Sequence, residues 1–229
     1  LLSNLSRTRG QDTFGLSISI NEKKNIFKIN ADPKEIFKRK DFKSFIKNTF
    51  KNLNTLKSVS IIGQTRLVTN GTKFLADNNQ PIITKNIIGV HNGIIVNKNL
   101  DESQIKFNKE GHNVKSDSLN LFEDLSSIFN NDYKNFYTDY IKYLNQIDGN
   151  YSISFRIPSL KLNFLSSNCG SLYFINSEEY LIFASEKQIL ENFLLKSKIK
   201  FNFNSSSIKK IINKSIAFND QLEIIPPHE

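Results

Sequence analysis

The sequence has little of the chemistry that many enzymes use, because it contains no methionine, one cysteine and three histidines. A natural full-length chain starts with methionine, so we do not interpret Leu1 as a translation start. The single cysteine, Cys169, cannot form an internal disulfide and is typical of a reducing compartment. The sequence shows no metal-ligand spacing, phosphate-binding glycine-rich loop or G-x-S-x-G elbow. We therefore predict no metal and no other cofactor.

Long apolar runs and flexible linkers are also missing from the sequence. No run approaches the roughly 18 apolar residues that span a bilayer, and no charged-then-apolar leader opens the sequence. We therefore expect a soluble, cytoplasmic protein with no membrane partner. No stretch rich in proline, glycine and serine divides the 229 residues, which predicts a single domain over residues 1–229.

Basic residues outnumber acidic ones by 31 to 22, which gives a net charge of +9. Only five of them are arginines, and the lysines are spread along the chain. The densest basic run, 38–40, lies among Phe37, Phe42 and Phe45 at helical spacing. This spacing indicates an amphipathic helix with its phenylalanines inward rather than a nucleic-acid face. We expect no nucleic-acid partner, and a basic nucleic-acid binder stays an alternative that salt-dependent affinity would reveal.

Residue patterns predict strands and helices in groups. In the first half we expect a hairpin of strands at 14–20 and 25–29, a helix from a capping box at Asp32 to about Asn52, a strand at 58–65, a polar surface loop over 69–81, and two strands joined by a turn at 91–93. In the second half we expect helices from Ser116 and over 133–146, one sheet of strands at 151–157, 160–166, 171–175 and 180–184, a helix from a capping box at Ser185 to about Leu195, a strand at 201–203, a helical turn at 206–213 and a strand at 217–225. This order defines an α+β fold in which helical layers cover antiparallel sheets.

Arg66, Asn92, Gly93 and Asp117 form a candidate site. A guanidinium at the end of an apolar strand offers a planar fork suited to a carboxylate. The Asn92 side-chain NH₂ and the Gly93 backbone N–H can point two donors at one oxygen, as an oxyanion requires. Asp117 can accept bonds from a ligand ammonium. Together these groups match an amino acid whose side-chain carbonyl is attacked.

Each of these residues also has a purely structural interpretation. Arg66 could pair with Asp12, Asn-Gly is a common turn, and Asp117 could be a helix N-cap. His91 follows an apolar strand residue, and we interpret it as a structural histidine that bonds to backbone rather than as a base.

Five motifs follow one another along nearly the whole chain: Arg9-Gly-Gln-Asp12-Thr-Phe-Gly15, Gly63-Gln-Thr-Arg66-Leu-Val-Thr69-Asn-Gly71, Asn79-Gln-Pro81, His91-Asn92-Gly93-Ile-Ile-Val-Asn97 and Ser116-Asp117-Ser118. They resemble, in this order, the R-G-x-D-[ST]-x-G, G-H-T-R-x-[AS]-T-x-G, N-x-Q-P, H-N-G-x-I-x-N and S-D-[ST] motifs of class II glutamine amidotransferases. That family includes glucosamine-phosphate synthase and asparagine synthetase. Segments 144–150 and 183–186 resemble two later motifs of the same family.

The resemblance implies an N-terminal-nucleophile hydrolase fold, a four-layer αββα sandwich of two antiparallel sheets between helical layers. It also implies a glutaminase reaction, in which an N-terminal cysteine attacks the glutamine carboxamide with its own α-amino group as base and gives a thioester and ammonia. Carried over by motif, the roles are α-carboxylate binding for Arg66, α-ammonium binding for Asp117, the oxyanion hole for Asn92 and Gly93, pocket lining for Thr69, and support of the site for Arg9, Asp12 and His91.

The chain departs from the family in its nucleophile. The family's cysteine opens a Cys-Gly-Ile segment upstream of the R-G-x-D motif, and these 229 residues contain no such segment. Cys169 lies within an Asn-Cys-Gly turn, and we interpret it as structural. Gln64 and Leu67 also replace residues common in the family. We expect a glutaminase domain that lacks its N-terminal segment, binds glutamine, and passes ammonia to a synthetase or isomerase domain or subunit, with a homo-oligomer left open. The alternative is a catalytically inactive module that binds glutamine or a protein partner.

Overall fold

The computed structural model describes residues 1–20, 23–51, 58–67, 78–96, 116–197 and 207–226. Its helices are α1 (Leu2–Leu5), α2 (Pro33–Ile36), α3 (Lys40–Thr49), α4 (Asp117–Ser127), α5 (Tyr133–Gln146) and α6 (Lys187–Lys196). Its strands are β1 (Thr13–Ile20), β2 (Lys23–Ile29), β3 (Val59–Arg66), β4 (Ile82–Ile83), β5 (Ile88–Val96), β6 (Asp148–Ile157), β7 (Leu162–Ser167), β8 (Tyr173–Asn176), β9 (Leu181–Ala184), β10 (Lys209–Lys210), β11 (Lys214–Phe218) and β12 (Ile224–Ile225).

Hydrogen bonds group these strands into three sheets. The first has the order β2-β1-β3, the second β12-β11-β7-β6-β5-β4, and the third β10-β8-β9. Every pairing between the described strands is antiparallel. The predicted α+β class with antiparallel sheets is confirmed, and the four-layer arrangement stays a prediction.

The predicted helix from Asp32 to Asn52 is wrong, because the structure has two helices there. Asp32 caps the first helix as expected, since its side chain accepts a hydrogen bond from the Lys34 N–H at 2.9 Å. Arg39 then takes an extended conformation, with ψ of 137°, and α3 begins after it. Phe42 is buried as expected, but the break leaves Phe37 44% exposed.

The predicted turn at 91–93 is also wrong. β5 is one continuous strand, and each of its residues from Ile88 to Val96 pairs with a residue of β6. β6 is ten residues long, so it offers partners along the whole of β5 and keeps the Asn-Gly pair in the ladder. Gly93 adopts a φ of +148°, and a Cβ there would lie 2.0 Å from the Asn150 carbonyl oxygen. Glycine at this position therefore allows the two strands to approach closely.

The four consecutive strands of the second half do not form one sheet. β6 and β7 pair in the second sheet, whereas β8 and β9 pair in the third. The chain leaves the second sheet at Gly170, which has a φ of +73°. Such a conformation favours glycine and redirects the strand after it.

Three predictions near the end of the chain are corrected. The helix expected to be capped by Ser185 begins at Lys187, and its N-cap is Glu186, whose side chain makes no capping hydrogen bond. Part of the predicted helical turn at 206–213 is strand β10. The predicted strand at 217–225 is two strands joined by a turn at Asn219, whose side chain accepts the N–H of Gln221 at 3.0 Å. The strand predicted at 201–203 lies outside the described residues.

Aliphatic and aromatic residues between the second sheet and helices α4 and α5 form the largest core cluster of the described residues. Phe155 and Phe164 stack with ring centres 4.6 Å apart, and Phe136 and Tyr140 of α5 pack against both. The predicted helix at 133–146 is confirmed, with its apolar stripe on this core. None of the described helices is long and apolar enough to cross a membrane.

Polar contacts join the first sheet to the opposite face of the second. The Ser60 hydroxyl of β3 donates to Asn163 Oδ1 of β7 at 2.8 Å. Near it, Arg156 of β6 forms a buried ion pair with Asp220 at 2.7 and 3.0 Å. Ser58 donates to the same carboxylate at 2.9 Å. β3 therefore lies over the second sheet, on the side opposite helices α4 and α5.

Candidate active site

A cavity of about 700 Å³ is lined by residues of α1, β3, β5, β6 and β9. Six of the residues that the sequence singles out lie on its wall: Arg9, Arg66, His91, Asn92, Gly93 and Asp117. The fold therefore brings a cation, a carboxylate and two candidate oxyanion donors to one space from segments up to about a hundred residues apart in sequence.

Backbone N–H groups line the outer edge of β5. The N–H groups of alternate residues face the same edge of a strand, so those of His91, Gly93 and Ile95 share the edge that does not pair with β6. Side chains accept the first and the last of them: Gln80 Oε1 binds the His91 N–H at 2.6 Å, and Asp117 Oδ2 binds the Ile95 N–H at 3.1 Å. Gly93 lies between these two residues and lines the cavity, so its N–H is a candidate donor to a ligand oxygen.

The Gln80 side chain takes the place of a strand partner for His91. Besides accepting the His91 N–H, its Nε2 donates to the His91 carbonyl at 3.0 Å and to the Ser118 hydroxyl at 3.1 Å. Gln64 Nε2 donates to the same His91 carbonyl at 2.6 Å. Two amide side chains thus hold the backbone beside Asn92, a support that the sequence motifs did not reveal although both glutamines lie within them.

Arg9 fixes the orientation of the Asn92 amide. Its Nη2 donates to Asn92 Oδ1 at 3.3 Å, and its Nη1 pairs with Glu186 Oε1 at 2.9 Å. A guanidinium has only donors, so the amide atom that faces it is the oxygen. The NH₂ group of Asn92 is then the part that can donate to a ligand. Glu186 contributes through Arg9 and, like Gln64 and Gln80, is a residue to which the sequence analysis gave no role.

Arg66 ends β3 and is 9% exposed. Its Nη1 donates to the Asn78 carbonyl at 3.4 Å. Burial lowers the pKa of its guanidinium below the usual range, and the negative charges of Asp117 and Asp12 oppose that shift. An arginine stays protonated at neutral pH even so, so the cavity wall carries a buried cation at this position.

Asp117 is the first residue of helix α4, and the cap of that helix is Ser116. The Ser116 hydroxyl accepts the Leu119 N–H at 3.2 Å. The Asp117 carboxylate accepts the N–H groups of Ile95 at 3.1 Å and of Ser118 at 2.8 Å. It therefore joins the helix start to the edge of β5, and a carboxylate has further lone pairs for an ammonium.

His91 is 3% exposed and lies on the side of β5 that faces helix α4. Its Nδ1 is 2.9 Å from the Ser118 hydroxyl. Burial lowers the pKa of its imidazole, an effect that the charge of Asp117 and the Asn150 backbone partly oppose. A neutral imidazole bonded to Ser118 is consistent with a structural role for His91. Its partner at Nδ1 is a side chain, whereas the sequence analysis expected the backbone.

The structure does not bring every predicted residue to the cavity. Asp12 is not on the wall, and its backbone N–H donates to the Arg66 carbonyl at 3.0 Å. Thr69 lies outside the described residues.

Cys169 lies on the turn that follows β7, with its Sγ 3.5 Å from the Ser152 hydroxyl and 3.6 Å from the Tyr151 carbonyl oxygen. Burial raises the pKa of its thiol, but hydrogen bonds from Ser152, Ser171 and Ser167 outweigh this, so the pKa lies below its usual value. Among the described residues, no three His, Cys, Asp or Glu side chains lie close enough together to hold a metal ion.

This architecture is the fold of a class II glutamine amidotransferase-like domain. The chain is similar to the allosteric regulatory enzyme of purine biosynthesis, with a TM-score of 0.62 and 16% identity over 96% of this chain and 43% of that one. It is also similar to glutamine phosphoribosylpyrophosphate amidotransferase from B. subtilis, with a TM-score of 0.54 and 16% identity over 99% of this chain and 45% of that one.

A third structure, a predicted glutamine amidotransferase from Pseudomonas aeruginosa PA01, has a TM-score of 0.56 and 12% identity over 94% of this chain and 87% of that one. No family model and no curated protein matches the sequence. The chain spans less than half the length of the first two structures, and at these identities the likeness concerns the fold.

Proposed function

We propose that this chain is the glutamine-binding part of a glutaminase, which hydrolyses the glutamine side-chain amide to glutamate and ammonia. The observation that carries the proposal is the shared cavity wall of Arg66, Asp117, Asn92 and Gly93. A buried cation and a carboxylate match the two charged groups at the α-carbon of glutamine, and two N–H donors match the oxygen of its carboxamide.

In this proposal the nucleophile is a cysteine at a mature amino terminus. Its thiolate attacks the amide carbon, the Asn92 NH₂ and the Gly93 N–H stabilise the oxyanion, and ammonia leaves as a thioester forms. Water then releases glutamate. The resemblance to amidotransferases supports a synthetase or isomerase domain or subunit that receives the ammonia.

The second candidate is an amidotransferase-like module that binds glutamine or a protein partner and performs no chemistry. The observation that favours it is the position of Cys169 on an internal turn, bonded to Ser152 and the Tyr151 carbonyl. A cysteine there has no α-amino group of its own to act as base.

The first experiment measures binding of L-glutamine to the 229-residue chain by isothermal titration calorimetry. A glutaminase and an inactive glutamine-binding module both predict that glutamine binds. Arg66→Ala should weaken this binding about tenfold to a hundredfold, because a charge-assisted bond to the glutamine carboxylate is lost. Arg66→Lys is the matched control, which keeps the charge but not the planar fork. Unchanged affinity in Arg66→Ala contradicts the assigned role.

The second experiment measures ammonia release from glutamine by the natural full-length protein. The glutaminase proposal predicts turnover that Asn92→Ala lowers about a hundredfold to a thousandfold in kcat, because one oxyanion donor is removed. Glutamine binding without ammonia release identifies the inactive module instead. Turnover with the same kcat in Asn92→Ala refutes the oxyanion assignment.

A further inference from the structure

The Ser118 hydroxyl lies at the centre of the hydrogen bonds behind the candidate site. Ser118 is 4% exposed. Its Oγ is 2.9 Å from His91 Nδ1, 3.1 Å from Gln80 Nε2 and 3.4 Å from Asp117 Oδ1. A hydroxyl has one hydrogen and two lone pairs. At most one of these neighbours can therefore receive the hydrogen of Ser118.

Gln80 uses a lone pair of this hydroxyl. The Gln80 atom that faces the His91 backbone N–H at 2.6 Å is the amide oxygen, because a backbone N–H only donates. The other amide atom is then the nitrogen, and its hydrogens go to the His91 carbonyl at 3.0 Å and to Ser118 Oγ at 3.1 Å. The Ser118 hydrogen is left for either His91 Nδ1 or Asp117 Oδ1.

The surroundings of His91 decide between these two acceptors. A Cβ added to Gly93 would lie 3.0 Å from His91 Nε2 and 2.0 Å from the Asn150 carbonyl oxygen, so these two atoms are neighbours. The Asn150 backbone raises the pKa of His91, as an acceptor beside an imidazole N–H does. A carbonyl only accepts, which favours the proton on Nε2. Nδ1 is then the acceptor that takes the Ser118 hydrogen, at the shorter of the two distances.

This arrangement leaves lone pairs of Asp117 open to a ligand. Its carboxylate accepts the Ile95 N–H at 3.1 Å and the Ser118 N–H at 2.8 Å, and an ionised carboxylate can accept further hydrogen bonds. Ser118 Oγ also lies beside both His91 Nδ1 and Asp117 Oδ1. Loss of the hydroxyl would therefore allow an Nδ1–H of His91 to turn to the carboxylate and compete with a ligand ammonium.

We propose that Ser118 is a positioning residue of the glutamine site, whose hydroxyl holds His91 as the neutral Nε2–H tautomer and keeps the Asp117 carboxylate open to the ammonium of the ligand. The part that concerns the ligand rests on the proposed function, whereas the tautomer of His91 does not.

The first test determines this tautomer by NMR. The 229-residue chain with His112→Gln and His228→Gln has His91 as its only histidine. Long-range proton–nitrogen correlations of its isotope-labelled imidazole distinguish an Nε2–H from an Nδ1–H. We expect Nε2–H in this parent chain and in its Ser118→Thr variant, which keeps a hydroxyl, and a shift toward Nδ1–H or the protonated ring in Ser118→Ala. Nδ1–H in the parent chain, or an unchanged tautomer in Ser118→Ala, overturns the proposal.

The second test measures glutamine affinity by isothermal titration calorimetry. Ser118→Ala should weaken binding about tenfold, and Ser118→Thr should restore most of that loss. Ser116→Ala is the matched control, because it removes a serine hydroxyl from the start of the same helix, where it accepts the Leu119 N–H at 3.2 Å. This control should bind glutamine as the parent chain does.

The possible outcomes separate this inference from the proposed function. Equal losses of affinity in Ser116→Ala and Ser118→Ala would show a general effect of the helix start and overturn the positioning role. A parent chain that binds no glutamine refutes the proposed function, whereas the NMR test then still decides whether Ser118 sets the tautomer of His91.

Discussion

Replacing Gln80 by leucine tests how far the backbone beside Asn92 depends on one side chain. Gln80 is 4% exposed and makes three hydrogen bonds, of which it accepts one from the His91 N–H at 2.6 Å and donates two, to the His91 carbonyl at 3.0 Å and to the Ser118 hydroxyl at 3.1 Å. Leucine is similar in size and has no polar side-chain atom. The substitution therefore removes these bonds with little change in packed volume.

The three partners of Gln80 are affected differently by its loss. The His91 carbonyl keeps its bond from Gln64 Nε2 at 2.6 Å, and the Ser118 hydroxyl keeps the His91 Nδ1 at 2.9 Å. The His91 N–H loses the acceptor that Gln80 supplies. A buried N–H without an acceptor costs about 1–3 kcal/mol. Each lost bond to a group that keeps another hydrogen bond costs less than about 1 kcal/mol. We expect the free energy of unfolding to fall by about 3 kcal/mol.

Gln64→Leu is the matched control, because it changes the same residue type next to the same carbonyl. Gln80 still donates to the His91 carbonyl in this variant. The Gln64 Oε1 is buried with no hydrogen-bond partner among the described residues, so its removal relieves an unfavourable group. We expect the free energy of unfolding to change by less than about 1 kcal/mol.

Urea unfolding at pH 7, followed by far-ultraviolet circular dichroism, measures both variants against the unsubstituted chain. We expect a clear order, with Gln80→Leu much less stable than Gln64→Leu. Equal losses, or a loss below about 1 kcal/mol for Gln80→Leu, would show that the Gln80 side chain does not hold the edge of β5.

Three further predictions concern other parts of the chain. Gly93→Ala should abolish glutamine binding in calorimetry, because its Cβ would meet the Asn150 carbonyl at 2.0 Å; retained affinity contradicts the close approach. Arg156→Ala should lower the free energy of unfolding by about 3–5 kcal/mol, because the charge of Asp220 is left without its partner. Adding Asp220→Asn to this variant should recover part of that loss. A double variant without any recovery would argue against the ion pair. Burial lowers the pKa of His91 in the folded chain. As the pH falls below about 6.5, the imidazole of the unfolded chain therefore binds a proton before that of the folded chain does. The free energy of unfolding should decline from about pH 7 to pH 5 by at most about 1.4 kcal/mol per pH unit. A slope that is unchanged in His91→Gln would refute this origin.

Local patterns predicted most individual elements correctly. Alternating apolar residues indicated β1, a 3.6-residue stripe indicated α5, and Asp32 capped α2 as expected. These features depend on residues only a few positions apart. The sequence also predicted Arg66 at the end of a strand, because it follows the apolar segment that begins at Val59.

Predictions failed where the deciding contact lies far away in the chain. The Asn-Gly pair is a common turn by composition, but β6 pairs Asn92 with Ser152 and Gly93 with Tyr151 and keeps both in a strand. The strands of the second half alternate like one meander, yet their partners divide them between two sheets. Strand pairing depends on residues tens of positions apart, so a local pattern does not specify it.

The sequence by itself determined which chemical groups the candidate site contains: a guanidinium at Arg66, an amide and a glycine at Asn92 and Gly93, and a carboxylate at Asp117. Only the tertiary structure decided how they are held. Glu186 reaches Arg9 across 177 positions of sequence, and Arg9 reaches Asn92 across 83. Hydrogen bonds of about 3 Å between such distant segments exist only after the sheets have formed, so they fix the direction of the Asn92 amide in a way that no motif contains.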